Sequence, residues 1–273
     1  MSQQHEYRFY PSLIDTFQDY LDTKPEEFFY QDENGKWHRN YDEETGTYHL
    51  TDDEVYALAR QRVLDTINRV DGLPSEAADK GSCFNEIVDC IIMKKKNTRD
   101  DIRLQTMRHE QVSYIYAQMD DFKFYFDIDF CKSAARYFDG SMCQVFTKAP
   151  IETDYGTVWL YGYIDYLREN KVFDAKTTSR YDFGKYEKKW QKHIYPYCLI
   201  KSGKCTDIQQ FEYTAFKLSG GNSRQPLITG QLYPEVYTFN YDESKAAIKR
   251  ICERFIEFIE ENKEEITDKK IVS

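Results

Sequence analysis

No run among the 273 residues approaches the roughly 18 consecutive apolar side chains of a membrane helix, and mean hydropathy is -0.75, which excludes a helical membrane span. The opening Met1-Ser2-Gln3-Gln4-His5-Glu6 has no basic segment and no apolar one, so no secretory signal is expected. An excess of positive charge is missing too. Lys and Arg total 37 against 47 Asp and Glu, a net charge of -10, which disfavours a protein that coats DNA non-specifically. The seven cysteines (Cys83, Cys90, Cys131, Cys143, Cys198, Cys205, Cys252) are odd in number and scattered, and no two are two residues apart. A zinc or iron–sulfur frame is therefore not expected, and the thiols read as reduced, small apolar residues of a cytosolic chain. His5, His38, His49, His109 and His193 lack a metal-binding spacing such as HxxxH. No Gly-x-Ser-x-Gly elbow occurs, and Gly220-Gly221-Asn222-Ser223 is not followed by Gly-Lys-Ser/Thr. It reads as a loop, so no nucleotide-driven motor is expected.

What is present is a well-stocked core: 41% hydrophobic and 16% aromatic residues, with 23 Tyr and 18 Phe, exclude a disordered chain. Phe9, Leu13, Ile14, Phe17 and Leu21 have helical spacing over 8–23, as do Val55, Leu58, Ala59, Val63, Leu64 and Ile67 over 52–70. Between them, Asn34-Gly35 signals a hairpin turn. Gly72, Pro74 and Gly81 read as breaks before a helix from Phe84 to Met93, which leads into Lys94-Lys95-Lys96. Residues 110–138 read as helix. Strands follow at 143–151, 157–167 and 171–176, a helix at 185–200, strands at 211–218 and 235–239, and an apolar helical stripe from Ala247 to Ile259. The pattern predicts an α/β (α+β) fold with a central mixed β-sheet flanked by helices. It is expected to be a single domain, 1–273: a core over about 80–218, an N-terminal helical elaboration over 1–79, and a C-terminal strand and amphipathic helix over 219–273.

The chemistry concentrates in Gly162-Tyr163-Ile164-Asp165 and Val172-Phe173-Asp174-Ala175-Lys176-Thr177. Residues i and i+2 of a strand share a face, so Asp174 and Lys176 project together, and hairpin pairing can bring Asp165 beside them. Clustered carboxylates repel and are costly to bury without a cation. Oxygen ligands select a hard ion, Mg²⁺ or Mn²⁺, and a lysine beside it can orient or activate a water. The bare Asp/Glu-x-Lys spacing recurs at Asp121, Glu187 and Glu243, but those copies lack the preceding Gly-x-Ile-Asp strand and the following helix. That helix carries Gln191 and Tyr195 at i and i+4, on one face. Upstream, Gly81-Ser82-Cys83-Phe84-Asn85-Glu86 offers a third carboxylate, with Asp89 on the same face as Glu86 or Asn85.

In this order the segments resemble the PD-(D/E)XK nuclease superfamily, and within it the RecB-like branch that includes phage exonucleases. Gly162 and Asp165 match its Gly-x-x-Asp element, Asp174, Lys176 and Thr177 its Asp/Glu-x-Lys-Thr element, and Gln191 and Tyr195 its Gln-x-x-x-Tyr element. The resemblance spans roughly residues 10–200, and 162–195 is its specific part. One departure is Asn85, where the family's first element has His or Glu.

The resemblance implies a restriction-endonuclease-like sheet and a metal-dependent DNA nuclease, an exonuclease, hydrolysing phosphodiester bonds with a water activated at Mg²⁺ or Mn²⁺. Asp165 and Asp174 would bind the metal with Glu86, or alternatively Asn85, and the carbonyl of Ala175. Lys176 would position or deprotonate the water, and Gln191 and Tyr195 would line the site. No iron–sulfur cluster is expected. Lys185, Lys188, Lys189 and Lys192, with Thr177, would face the DNA, and Lys94 to Lys96 would add a second basic group. The setting implied is recombination, repair or replication in the cytoplasm of a bacterial or phage-infected cell, with DNA as partner and with a helicase or recombination protein as a further one. Two other readings stand beside it: a non-cutting relative acting as a DNA- or protein-binding subunit, and an acidic interaction module whose acids spread over the surface.

Overall fold

The computed structural model describes residues 6–32, 36–72, 75–110, 112–268 and 270–271. Asn34-Gly35 and Pro74, invoked above as turn and break, lie outside the described residues. The elements in chain order are β1 (Glu6–Phe9), α1 (Pro11–Leu21), β2 (Phe29–Gln31), β3 (Trp37–Arg39), β4 (Tyr41–Asp42), β5 (Thr47–Tyr48), α2 (Asp52–Asn68) and α3 (Glu76–Met93). Next come β6 (Ile102–His109), β7 (Val112–Met119), β8 (Phe122–Asp127), α4 (Ile128–Tyr137), β9 (Met142–Thr153), β10 (Gly156–Arg168) and β11 (Lys171–Thr178). The chain closes with α5 (Gln191–Lys201), β12 (Gln210–Ser219), β13 (Thr229–Thr238) and α6 (Tyr241–Glu261). The fold is mixed α/β with a central mixed sheet, and no helix among the described residues is long and apolar enough to cross a membrane.

Two compact units emerge. The first comprises Met1–Asp71, Pro150–Tyr161 and Lys245–Ser273. There β1 pairs parallel with the first half of β10, Glu6 opposite Thr157 to Phe9 opposite Leu160. The helical stripe of α1 buries Leu13, Ile14 and Phe17, and the Phe17 and Phe9 rings lie 4.6 and 4.8 Å from that of Phe255. Thr51 and Glu54 form a reciprocal capping box that starts α2, satisfying amides that helix geometry leaves without partners.

The second unit comprises Gly72–Ala149 and Gly162–Ser244. Its sheet joins the end of β10 to β11 antiparallel (Tyr166 opposite Phe173), β11 to β12 parallel (Lys171 opposite Gln210 to Thr178 opposite Lys217), and β12 to β13 antiparallel. A parallel pair needs a crossover, and α5 lies in it. A second sheet, β6-β7-β8, is antiparallel throughout. Helix α3 contacts both β11 and the second sheet, and the core between them contains Phe84, Ile87, Ile115, Phe126, Phe173 and Phe216.

Four expectations need correction. Residues 110–138 are not one helix: β7 and β8 occupy the first part of the stretch, and only Ile128–Tyr137 is helical. Tyr114 and Tyr116 face outward while Ile115 and Ala117 are buried, so both faces carry large or apolar residues and the period-2 signal is blurred. Helix α3 begins at Glu76, with Ser75 accepting from the Ala78 amide, and runs through Gly81. The basic stretch is not a helix from Lys185: α5 begins at Gln191, and Lys185, Lys188 and Lys189 lie in the turns before it. Arg8 and Phe9, included above in the helical stretch 8–23, belong to strand β1, and α1 begins at Pro11.

Candidate active site

The site starts from a helix allowed unusually close to a strand. A methyl group at Gly81 would stand 2.4 Å from the Thr177 hydroxyl oxygen of β11, so only glycine fits this approach without displacement. Residues 81, 85 and 89 are successive fourth positions and share one face of α3. The close approach therefore brings Asn85 and Asp89 to the hairpin of β10 and β11. Both line a cavity of about 440 Å³ together with Glu86, Asp165, Lys95 and Arg99.

From the hairpin, the register continued past Tyr166–Phe173 sets Asp165 opposite Asp174. The Ala175 amide donates to Asp165 Oδ2 at 2.8 Å, and Lys176 Nζ is 2.7 Å from Asp174 Oδ2. The sequence-predicted trio Asp165, Asp174 and Lys176 is thus brought together. Burial pushes the Asp165 carboxyl well above the carboxylate range, and the neighbouring charges of Asp174 and Asp89 push it the same way, while Lys176 and the Ala175 amide oppose them. Asp174 is also raised by burial, with Lys176 acting against the shift.

Asp89 is the third acid of the group. Burial raises it to about 6, against donation from Tyr166 and from Gln144, whose amide lies 2.9 Å from Oδ2. Its other oxygen, Oδ1, is buried with no partner at hydrogen-bond distance, and so is Asn85 Oδ1. Unpartnered buried oxygens are rare and costly, and two facing one cavity mark it as polar by construction.

Glu86 is placed differently. It accepts from the Thr98 amide and hydroxyl, the Arg99 amide and the Cys90 thiol, and is 2% exposed. Its oxygens hold the loop after α3, although the residue also borders the cavity.

On the crossover, Gln191 opens α5 and is buried, with Oε1 3.5 Å from the Tyr213 hydroxyl, and Tyr195 is buried one turn on. Lys176 Nζ lies 6.0 Å from the centre of the Tyr213 ring, which sits 5.5 Å from that of Tyr186. Burial raises the Tyr186 hydroxyl, and the charge of Lys176 acts against the shift. An aromatic wall thus stands beside the lysine, and neither tyrosine was singled out from the sequence. Among the predicted basic residues, Lys185 donates to Thr178 Oγ1 at 2.7 Å and to the Arg180 carbonyl at 3.1 Å. Lys192 donates to the Glu187 carbonyl and lies 4.5 Å from the Tyr237 ring, and burial lowers its pKa. These two lysines brace the segment 178–192. Lys188 is exposed and Lys189 half-buried. Asp89 was placed from the sequence on the face of Glu86 or Asn85 but given no role, and no signal pointed to Gln144.

The oxygen donors suit a hard divalent cation: the raised carboxyls of Asp165, Asp174 and Asp89, and the amide oxygen of Asn85. Among the described residues, no three His, Cys, Asp or Glu side chains already converge as a metal-binding group. Asp174 faces Lys176, and Glu86 faces the 97–99 loop.

No family model matches the chain, and no curated protein matches it. Two solved structures are similar in part. SSO0001 is 17% identical over 46% of this chain, with a TM-score of 0.31, and the match spans 54% of that protein, about half its length. A putative exonuclease from Eubacterium rectale is 10% identical over 76% of each chain, with a TM-score of 0.44. At these scores neither likeness carries an argument about the site.

Proposed function

We propose that this chain is a metal-dependent deoxyribonuclease of the PD-(D/E)XK type, in its RecB-like branch, acting as an exonuclease. The observation that carries the reading is the meeting of Asp165, Asp174 and Lys176 at the β10–β11 hairpin, beside a polar cavity that Asp165 lines together with Asn85 and Asp89. Asp89, Asp165, Asp174, Asn85 Oδ1 and the Ala175 carbonyl would hold Mg²⁺ or Mn²⁺. The geometry favours Asp89 over Glu86, whose oxygens are already engaged. Bound there, the ion would supply Lewis-acid charge at the phosphate and lower the pKa of water. Lys176, anchored by Asp174, donates hydrogen bonds that orient the attacking water and offset negative charge as the phosphodiester is cleaved. Gln191 and Tyr195 position the scissile phosphate or the DNA end. Thr177, Lys188 and Lys189 border the approach, with Lys185 and Lys192 shaping the segment that carries them. The setting proposed is DNA recombination, repair or replication in bacterial or phage-infected cytoplasm, with a helicase or recombination protein as partner.

The test is cleavage of end-labelled linear and circular DNA, single- and double-stranded, in Mg²⁺, Mn²⁺ or EDTA. Loss of linear DNA with metal, about 10²- to 10⁴-fold slower in Lys176→Ala, is expected. A second reading, a non-cutting DNA-binding relative, draws on Asn85 and the engaged Glu86. Folded protein that binds DNA but cuts nothing in either metal would favour it.

A further inference from the structure

The outer face of β6-β7-β8 carries an exposed aromatic array that no step above uses. Alternation places Ile102, Leu104, Ile115, Ala117, Phe124 and Phe126 against the core. The opposite face then presents three cross-strand rows: Arg103, Gln118 and Lys123; Gln105, Tyr116 and Tyr125; Met107, Tyr114 and Asp127. The Tyr125 ring lies 5.8 Å from Tyr114 and 5.6 Å from Tyr116, and Tyr125 is 39% exposed. Asp127, at the other end, caps α4, its carboxylate accepting from the Phe130 amide at 2.7 Å. Neither Arg103 nor Lys123 has an ion-pair partner among the described residues. On a chain of net charge -10, two unpaired cations thus stand at one end of the tyrosine rows.

This face is joined to the acidic cavity. Gln105 on the edge strand β6 borders a groove of about 450 Å³ that is also lined by Lys94, Lys95 and Lys96, and Lys95 lines the acidic cavity as well. We propose that β6-β7-β8 is a stacking platform for single-stranded DNA, whose backbone passes over Lys94 to Lys96 and whose bases lie on Tyr114, Tyr116 and Tyr125. Every base has a π-face, so stacked tyrosines bind without sequence preference, and the lysines track phosphate. Gln105 offers its amide group to base edges, while that of Gln118 is held by the Tyr116 hydroxyl and the Asp120 carbonyl. A basic-rimmed tyrosine face continuous with a phosphodiester-cleaving site favours this occupant over a protein partner. The choice of DNA rests on the nuclease reading.

The test is fluorescence anisotropy in EDTA, where nothing is cut, with the full chain and a labelled oligothymidylate of about 20 nucleotides. The wild type is expected to bind it more tightly than a duplex of the same length. Tyr114→Ala/Tyr125→Ala should weaken binding about tenfold or more, since each stacked base contributes on the order of 1–3 kcal/mol. Tyr125→Phe should stay within about twofold, because the ring is kept. Lys94→Ala/Lys96→Ala should weaken binding and flatten its salt dependence. Unchanged affinity in a double tyrosine variant with native circular dichroism would overturn the platform, as would a preference for duplex. Tenfold tighter binding of oligouridylate would overturn the DNA assignment. Tyrosine-dependent binding in a protein that fails the cleavage assay would support the platform while sinking the nuclease reading. Metal-dependent cleavage with tyrosine-independent binding would do the reverse.

Discussion

Two acids on α3, three residues apart, have opposite environments. Glu86 turns to the loop at 97–99 and is saturated with donors; Asp89 borders the β10–β11 cavity, accepts from Gln144 and Tyr166, and leaves Oδ1 without a hydrogen-bond partner. Both are nearly inaccessible, at 2% and 3% exposure. Burial alone therefore does not mark the functional acid. A buried carboxylate with its hydrogen bonds filled builds structure, and one left short of donors stores free energy that a cation can release.

Breaking this contrast gives the largest effect. Asp165→Asn and Asp89→Asn should each slow metal-dependent cleavage by about 10²- to 10⁴-fold while leaving the fold intact, as circular dichroism would check. Glu86→Ala should instead cost stability, on the order of 3 kcal/mol in urea unfolding, because it strips charge-assisted bonds from a buried loop. A thermal shift on adding Mg²⁺ should survive in Glu86→Ala and vanish in Asp89→Asn.

The next effect is in pH. Asp89 is raised from 3.8 to about 6 in the folded state, so between those values the folded protein binds more protons than the unfolded chain. Its contribution is fully present below about pH 4 and is lost as pH rises through about 6, a fall on the order of 2–3 kcal/mol. Asp165 and Asp174 are raised too and extend the loss upward. Urea unfolding in EDTA from pH 4 to 8 should show this decline, and Asp89→Asn should flatten its lower part. A rise in wild-type stability over that range would contradict the assignment.

The smallest effect concerns the approach of α3. Gly81→Ala places a methyl group against Thr177 Oγ1 and should cost on the order of 1–3 kcal/mol while weakening the Mg²⁺ thermal shift. Adding Thr177→Ala should recover stability by removing the clashing hydroxyl. If Gly81→Ala changes neither, the helix is not fixed in place by this contact.

The hairpin acids were legible because strand alternation and a two-residue turn place Asp165, Asp174 and Lys176 by geometry alone. Gln191 and Tyr195 were legible from helical spacing, though not the start of their helix: Gly184, at φ +80°, marks a turn, but no further break separates the lysine-rich residues after it from Gln191. Gly81 misled for a physical reason. It reads as a breaker, but here its missing side chain serves packing inside a helix, so the face 81-85-89 was split in the reading. The tyrosine sheet was hidden because its solvent face is as aromatic as its core face, which erases the alternation that announces a strand.

The most direct measurement is release of nucleotides from end-labelled linear DNA in Mg²⁺ by three folded proteins: wild type, Glu86→Gln and Asp89→Asn. Cutting by the wild type and Glu86→Gln, with Asp89→Asn inert, is the predicted result. Cutting by Asp89→Asn with Glu86→Gln inert would contradict the choice of Asp89, and no cutting by any of the three would contradict the nuclease itself.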